Sequence, residues 1–191
     1  MTDALTTTAP AVLDAAVDAA LRMARDAAWR DLTLRDIAAA AGVSFADLYA
    51  RASGKEALLD HLSRRYDAAV LAAAADPSPE VADRLFEAVM ARLEAMEPDR
   101  LVLIAIARDA RFPGPDAARR AAATARAFLE AAGIDAGGPR GALRVAAMVA
   151  VWARTLRVWQ DDEGALNRTM AEIDRLLKTL RKRLGQIGAG F

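Results

Sequence analysis

Apolar positions recur along this chain with the period of an α-helix. Val81, Leu85, Val89 and Leu93 follow one another every four residues, with Phe86 and Met90 beside them. That spacing lines up one buried face on a helix from Ser78-Pro79-Glu80 to about Met96, stopped by Pro98. A first helix is expected over Ala11–Ala28, with Val12, Ala16, Leu21 and Met23 among its apolar positions. Pro10, just after Thr8, suits its first turn, where the missing N–H has no intrahelical partner. Further helices are expected over Arg100–Asp109, Asp116–Ala132 with Gly133 as its stop, Arg140–Gln160 and Ala165–Leu184. Phe112-Pro113-Gly114-Pro115, Gly137-Gly138-Pro139 and Asp161-Asp162-Glu163-Gly164 separate them. Strand alternation is absent, so the expected fold class is all-α.

The stretch Thr33–Leu59 is richer in signals. Thr33…Asp36, Ser44…Asp47 and Ser53…Glu56 each set a hydroxyl three residues before a carboxylate. That is the spacing of a helix-starting capping box, and an acid in the first turn also suits the helix dipole. Ile37 and Ala38 fall on the inner side of the first short helix, where a small residue lets the next helix cross closely. Gly42 stands where the chain must leave that helix, Val43 plugs the turn and Ser44 caps the second helix. Leu48 then points inward, leaving Phe45, Ala46 and Tyr49 on or near the outer face. This is a helix-turn-helix, a motif whose second helix enters the DNA major groove with its N-terminal residues nearest the bases.

Composition narrows the alternatives. The 191 residues carry 26 Lys+Arg and 26 Asp+Glu, a net charge of +0, and 54% are hydrophobic, enough for a sizeable core. With no Cys and a single His, His61, neither a thiolate metal site nor a thiol nucleophile can form. A His-based triad or multi-His metal site is equally hard to build. Gly-rich phosphate loops, nucleophile elbows and paired catalytic carboxylates are absent as well, so the chain is read as no enzyme, with no cofactor. Met1–Pro10 lacks the pattern of a secretory signal. The longest uncharged apolar run, Val145–Ala153, is bounded by Arg144 and Arg154 and far shorter than the roughly 20 residues of a bilayer span. A cytoplasmic location with no membrane span is expected.

The helix Arg140–Gln160 is apolar most of the way round, apart from Arg140, Arg144, Arg154 and Arg157 on one stripe. Such a helix must be covered on several sides, which predicts a ligand pocket on one and a homodimer seam on another. Phe86, Met90, Phe128, Met148 and Trp152 are the pocket candidates, since Met adapts its shape and aromatics supply large apolar walls. No charged residue stands out as a ligand anchor, so the small effector is expected to be apolar. His61 is read as solvated or hydrogen-bonded. The basic residues Arg175, Lys178, Arg181, Lys182 and Arg183 are read as complementing a helix C-terminus. Asp161-Asp162-Glu163 is read as a loop and helix start, not a calcium site.

Taken together, Thr33, Arg35, Asp36, Ile37, Ala38, Ala41, Gly42, Val43, Ser44, Leu48, Tyr49, Lys55, Glu56, Leu58 and Leu59 resemble the TetR family of bacterial transcriptional regulators. The likeness reaches back through Val12–Ala16 to Trp29. It implies a TetR-like fold: a three-helix DNA-binding domain over residues 1–55 and a helical ligand-binding and dimerisation domain over 56–191. It also implies a ligand-responsive regulator, commonly a repressor, whose homodimer binds a double-stranded DNA operator. By resemblance, Tyr49 and Lys55 correspond to phosphate contacts, and Thr33 to a cap that meets the DNA backbone. Phe45 and Ala46 face the bases, and Ser44 and Arg51 complete the expected DNA-binding set. Residues 1–75 nevertheless hold eight Lys/Arg against ten Asp/Glu, an acidic balance for such a module. Asp83–Glu94, Pro98 and Leu156–Asp162 are also similar to coenzyme-Q-biosynthesis accessory proteins. Those share the fold and bind isoprenoid lipids without specific DNA binding, which is the alternative function.

Overall fold

The computed structural model describes residues 9–75, 77–109, 114–162, 166–186 and 188–190. Among them every regular element is helical: α1 (Ala9–Met23), α2 (Leu34–Ala41), α3 (Phe45–Arg51), α4 (Lys55–Ala73), α5 (Val81–Met96), α6 (Arg100–Asp109), α7 (Pro115–Ala131), α8 (Gly138–Gln160) and α9 (Asn167–Gln186). Short 3-10 turns occupy Trp29–Asp31 and Glu97–Asp99. No described helix is long and apolar enough to cross a membrane. The expected signals at Met1–Thr8, Phe112-Pro113 and Glu163–Ala165 lie outside the described residues.

Two compact units divide the chain. The first gathers α1 to α3, the start of α4 up to Ser63, and α6. The second gathers the rest of α4 from Arg64, then α5, α7, α8 and α9.

Most helix limits fall where the punctuation sets them. Gly42 takes φ +68 and donates its N–H to Ala38 and Ala39, while the N–H of Val43 reaches back to Ala38 at 3.0 Å. Gly133 ends α7 in the same left-handed conformation, at φ +76. Other limits differ from expectation: α8 starts at Gly138 rather than Arg140, and α9 runs Asn167–Gln186 rather than Ala165–Leu184. α1 stops at Met23 rather than Ala28, because the chain tightens there: Arg25 and Asp26 donate three residues back, to Arg22 and Met23. At α5 the N-cap is Glu80 without a side-chain bond, and the Ser78 hydroxyl instead donates to the Glu87 carboxylate.

The face of α5 is buried as its period requires, through Leu85, Val89 and Leu93, but Arg92 is buried with it. In the second unit its Nε donates to Asp67 Oδ1 at 2.7 Å, and the Thr124 hydroxyl donates to the same oxygen at 3.1 Å. The guanidinium lies 5.1 Å over the Trp152 ring and 5.7 Å over that of Tyr66. Burial pulls the Arg92 pKa down, and the Asp67 charge opposes that shift.

Candidate functional site

In the first unit, local chemistry sets the position of α3. The Thr33 hydroxyl accepts the Asp36 N–H at 3.2 Å and donates to the Asp36 carboxylate at 2.5 Å, which in turn accepts the Thr33 N–H. These bonds complete the capping box and hold the Asp36 pKa below its usual value, the Thr33 hydroxyl contributing most. Gly42 turns the chain, and Ser44 accepts the Asp47 N–H at 3.2 Å to start α3. Leu48 is then fully buried, which directs Ala46 and Tyr49 outward; Tyr49 is 53% exposed.

The exposed end of α3 carries an aromatic and cationic stack. The Phe45 and Tyr49 rings lie 5.7 Å apart and tilted, and the Arg35 guanidinium from α2 sits 4.6 Å over Phe45. Arg35 belongs to the motif but was not among the expected DNA-facing residues. The signal was present: it stands two residues after the Thr33 cap, one α2–α3 crossing from Phe45.

The two expected cations, Arg51 and Lys55, are committed inside the unit. Arg51 donates to the Asp47 carbonyl at 2.8 Å, and its side chain folds back along α3 toward the Asp47 carboxylate. Lys55 Nζ donates to the Trp29 carbonyl at 2.5 Å and the Arg30 carbonyl at 3.2 Å, and lies 5.2 Å over the Trp29 ring. Desolvation lowers the Lys55 pKa against the attraction of Asp31, Asp109 and Glu56. Lys55 thus fastens the start of α4 to the Trp29–Asp31 turn, which Arg30 ties to Asp109 at 3.0 Å. His61 is hydrogen-bonded to Asp14 at 2.7 Å. The structure therefore brings Phe45 and Tyr49 together on α3, leaves Ala46 and Tyr49 exposed and Phe45 half-buried, and makes Thr33 the cap of α2 and Ser44 the cap of α3.

With that geometry in place, residues 16–62 match the model of bacterial regulatory proteins of the tetR family. Over those residues the chain is similar to that family. The tetR-type fold extends beyond them. A TetR transcriptional regulator from Nitrosomonas europaea ATCC 19718 superposes with a TM-score of 0.68 at 24% identity, covering 88% of this chain and 97% of that one. Another, from Rhodococcus sp. RHA1, gives 0.67 at 17% identity, covering 90% and 95%. No curated protein matches the chain.

In the second unit of this tetR-type fold, the expected pocket residues Met90, Phe128, Met148 and Trp152 are buried, and Phe86 is half-buried. Phe128 meets Trp152 edge-on at 5.3 Å. An indentation among Val70, Arg84, Ala88 and Ala131 has a cavity volume of only about 10 Å³, on the order of one water. A larger groove of about 360 Å³ runs between α8 and α9, lined by Leu143, Ala147, Ala150, Val151 and Leu180. Leu143 is 51% exposed there. Among the α9 cations, Arg175 pairs with Glu172 and Lys178 with Asp174, each at 2.7 Å. Asp162 accepts the Thr169 N–H and hydroxyl, both at 2.7 Å, and so secures the start of α9.

Proposed function

We propose that this protein is a ligand-responsive DNA-binding transcriptional regulator, acting as a homodimer and expected to repress. Residues 1–55 serve as its DNA-binding domain and 56–191 as its ligand-binding and dimerisation domain. The observation that carries the proposal is the outward face of α3: Ser44 caps it, Leu48 anchors it, Ala46 and Tyr49 are exposed, and Arg35 stacks on the half-buried Phe45 at its N-terminal end. That is the end of a recognition helix that approaches base edges. A Phe edge can pack against a thymine methyl, an Arg can reach guanine, and a Tyr hydroxyl can bond a phosphate.

The exposed apolar groove between α8 and α9 supports a self-complementary seam across a two-fold axis. Two modules joined in this way meet successive major grooves when their recognition helices stand about 34–36 Å apart. An effector that binds better to a form with another spacing weakens DNA binding by its differential affinity and no more.

Genomic pull-down with the purified protein, followed by mobility shifts on the enriched DNA over a range of salt, tests the proposal. Enriched sites bound far better than random DNA are expected. Phe45→Ala and Arg35→Ala should change site preference, and Tyr49→Phe should weaken binding evenly across sequences. Finding no enriched DNA, with only salt-sensitive binding to any duplex, would refute it.

A further inference from the structure

Arg35 on α2 is exposed, and its guanidinium lies 4.6 Å over the ring of Phe45, the first residue of α3. Among the described residues its N–H groups have no hydrogen-bond or ion-pair partner. The acids nearby in sequence are engaged elsewhere: Asp36 accepts from the Thr33 N–H and hydroxyl, and Asp47 faces Arg51 at 3.7 Å. A cation held over a ring is fixed by its centre, which leaves the planar fork of donors for an outside acceptor. The Phe45 ring is half-buried and meets Tyr49 at 5.7 Å. What it exposes is apolar, with nothing to donate or accept.

We infer that Arg35 and Phe45 form a single reader of two neighbouring base pairs: a G·C pair bonded by Arg35, next to an A·T pair whose thymine methyl packs on Phe45. The inference rests on the reading of the chain as a DNA-binding regulator and names the operator feature it recognises. Spacing decides adjacency. Successive base pairs lie about 3.4 Å apart and alternate ones about 6.8 Å, so two groups stacked at 4.6 Å meet neighbours. Residue type decides the bases. The Arg fork fits guanine O6 and N7 together, and an apolar ring edge distinguishes only the thymine methyl in the major groove. Bidentate reading of adenine needs an Asn or Gln, and neither α2 nor α3 contains one. The ring has a second effect: it holds the long Arg35 side chain in place before DNA arrives, so less rotamer freedom is lost on binding. Phe45 is therefore a positioning residue for Arg35 as well as a contact.

Selection of duplexes from a random pool by the full chain, followed by anisotropy titrations with two base analogues, tests this. The selected half-site should contain guanine and thymine in adjacent base pairs. Replacing that guanine by 7-deazaguanine, which lacks N7, should weaken binding about tenfold, and by less than twofold in Arg35→Ala. Replacing the thymine by uracil removes only the methyl and should cost about fourfold, and less than twofold in Phe45→Ala. Phe45→Leu keeps an apolar contact but takes the ring from under Arg35, so it should retain the uracil effect and reduce the 7-deazaguanine effect. Analogue effects that persist unchanged in the Arg35 and Phe45 variants overturn the inference, as do enriched duplexes lacking the step; both leave the regulator reading standing. Enrichment of no duplex over the random pool overturns the two together.

Discussion

The Arg92–Asp67 pair allows a sharp test of the second unit. The Arg92 side chain is 5% exposed and that of Asp67 14%, so truncating either leaves the other charge largely out of water. Arg92→Met keeps most of the stem volume but removes the guanidinium from the Trp152 ring and strands the Asp67 carboxylate, whose remaining bond is from Thr124. Breaking a buried pair in this way costs about 3–5 kcal/mol, a large share of the roughly 5–15 kcal/mol that stabilises a folded domain. Replacing both members removes the stranded charge together with the desolvation burden, so Arg92→Met combined with Asp67→Leu should recover most of the loss and can exceed the parent. Urea unfolding followed by tryptophan fluorescence reads this directly, because Trp152 and Trp159 both lie in the second unit. The coupling between the two sites should be several kcal/mol. A cost below about 1 kcal/mol for Arg92→Met, or additive effects in the double variant, would refute the account, since such small values belong to solvent-screened pairs.

Further outcomes follow from other sites. Lys55→Met should lower the stability of the first unit by about 1–3 kcal/mol, through two lost carbonyl bonds and the Trp29 contact, while leaving the salt slope of DNA binding unchanged; loss of a phosphate contact would reduce that slope. Gly42→Ala meets no atom within 4 Å but forces φ +68 on an L-residue, costing about 1–2 kcal/mol in thermal melts. Gly141→Ala brings its Cβ to 2.2 Å from the Ala136 carbonyl carbon, so backbone must shift at a cost of about 1–3 kcal/mol. The Glu172 pKa, held down to about 2 chiefly by its bonds to Arg175 and also by Arg154, gives a pH signature. Because the folded value lies below the ordinary 4.5, its contribution is complete above about pH 4.5 and fades as pH falls toward 2. Glu172→Gln should flatten that part of the stability–pH curve measured by calorimetry.

What the sequence discloses is local. Thr33, Ser44, Gly42 and Gly133 act on backbone groups within four residues, and each appears in the structure at the helix limit it marks. Leu48 is placed by the register of a seven-residue helix, which leaves few choices. The features that local pattern does not disclose all have distant partners. Arg92 lies on the apolar stripe of α5, and its tolerance there depends on Asp67, 25 residues earlier on another helix. Lys55 is held by backbone carbonyls at Trp29 and Arg30, and a carbonyl acceptor leaves no mark in residue type. The early end of α1 has the same character: Ala24–Ala28 is good helix-forming sequence, but the chain leaves the helix to reach the Trp29–Asp31 turn, where the Trp29 ring is buried.

The acidic balance of the N-terminal residues takes on a different meaning once the cations are placed. Eight Lys/Arg against ten Asp/Glu give residues 1–75 little long-range attraction for a polyanion, and Arg30, Arg51 and Lys55 spend their donors within the protein. In the proposed regulator, counterion release, which supplies nearly all of non-specific DNA binding, would therefore be weak. The groups that the proposed reading leaves for DNA on α3 act at short range: the Arg35–Phe45 stack, the Tyr49 hydroxyl and the adjoining backbone N–H groups. Contacts of that kind require the right base edges and groove shape, and two modules in a dimer double them without adding to the non-specific term in proportion. In a genome the relevant quantity is the ratio of specific to non-specific binding multiplied over a vast excess of wrong sites. A module that suppresses its non-specific affinity raises that ratio even when its absolute affinity is modest, so the acidic charge favours discrimination by the proposed regulator.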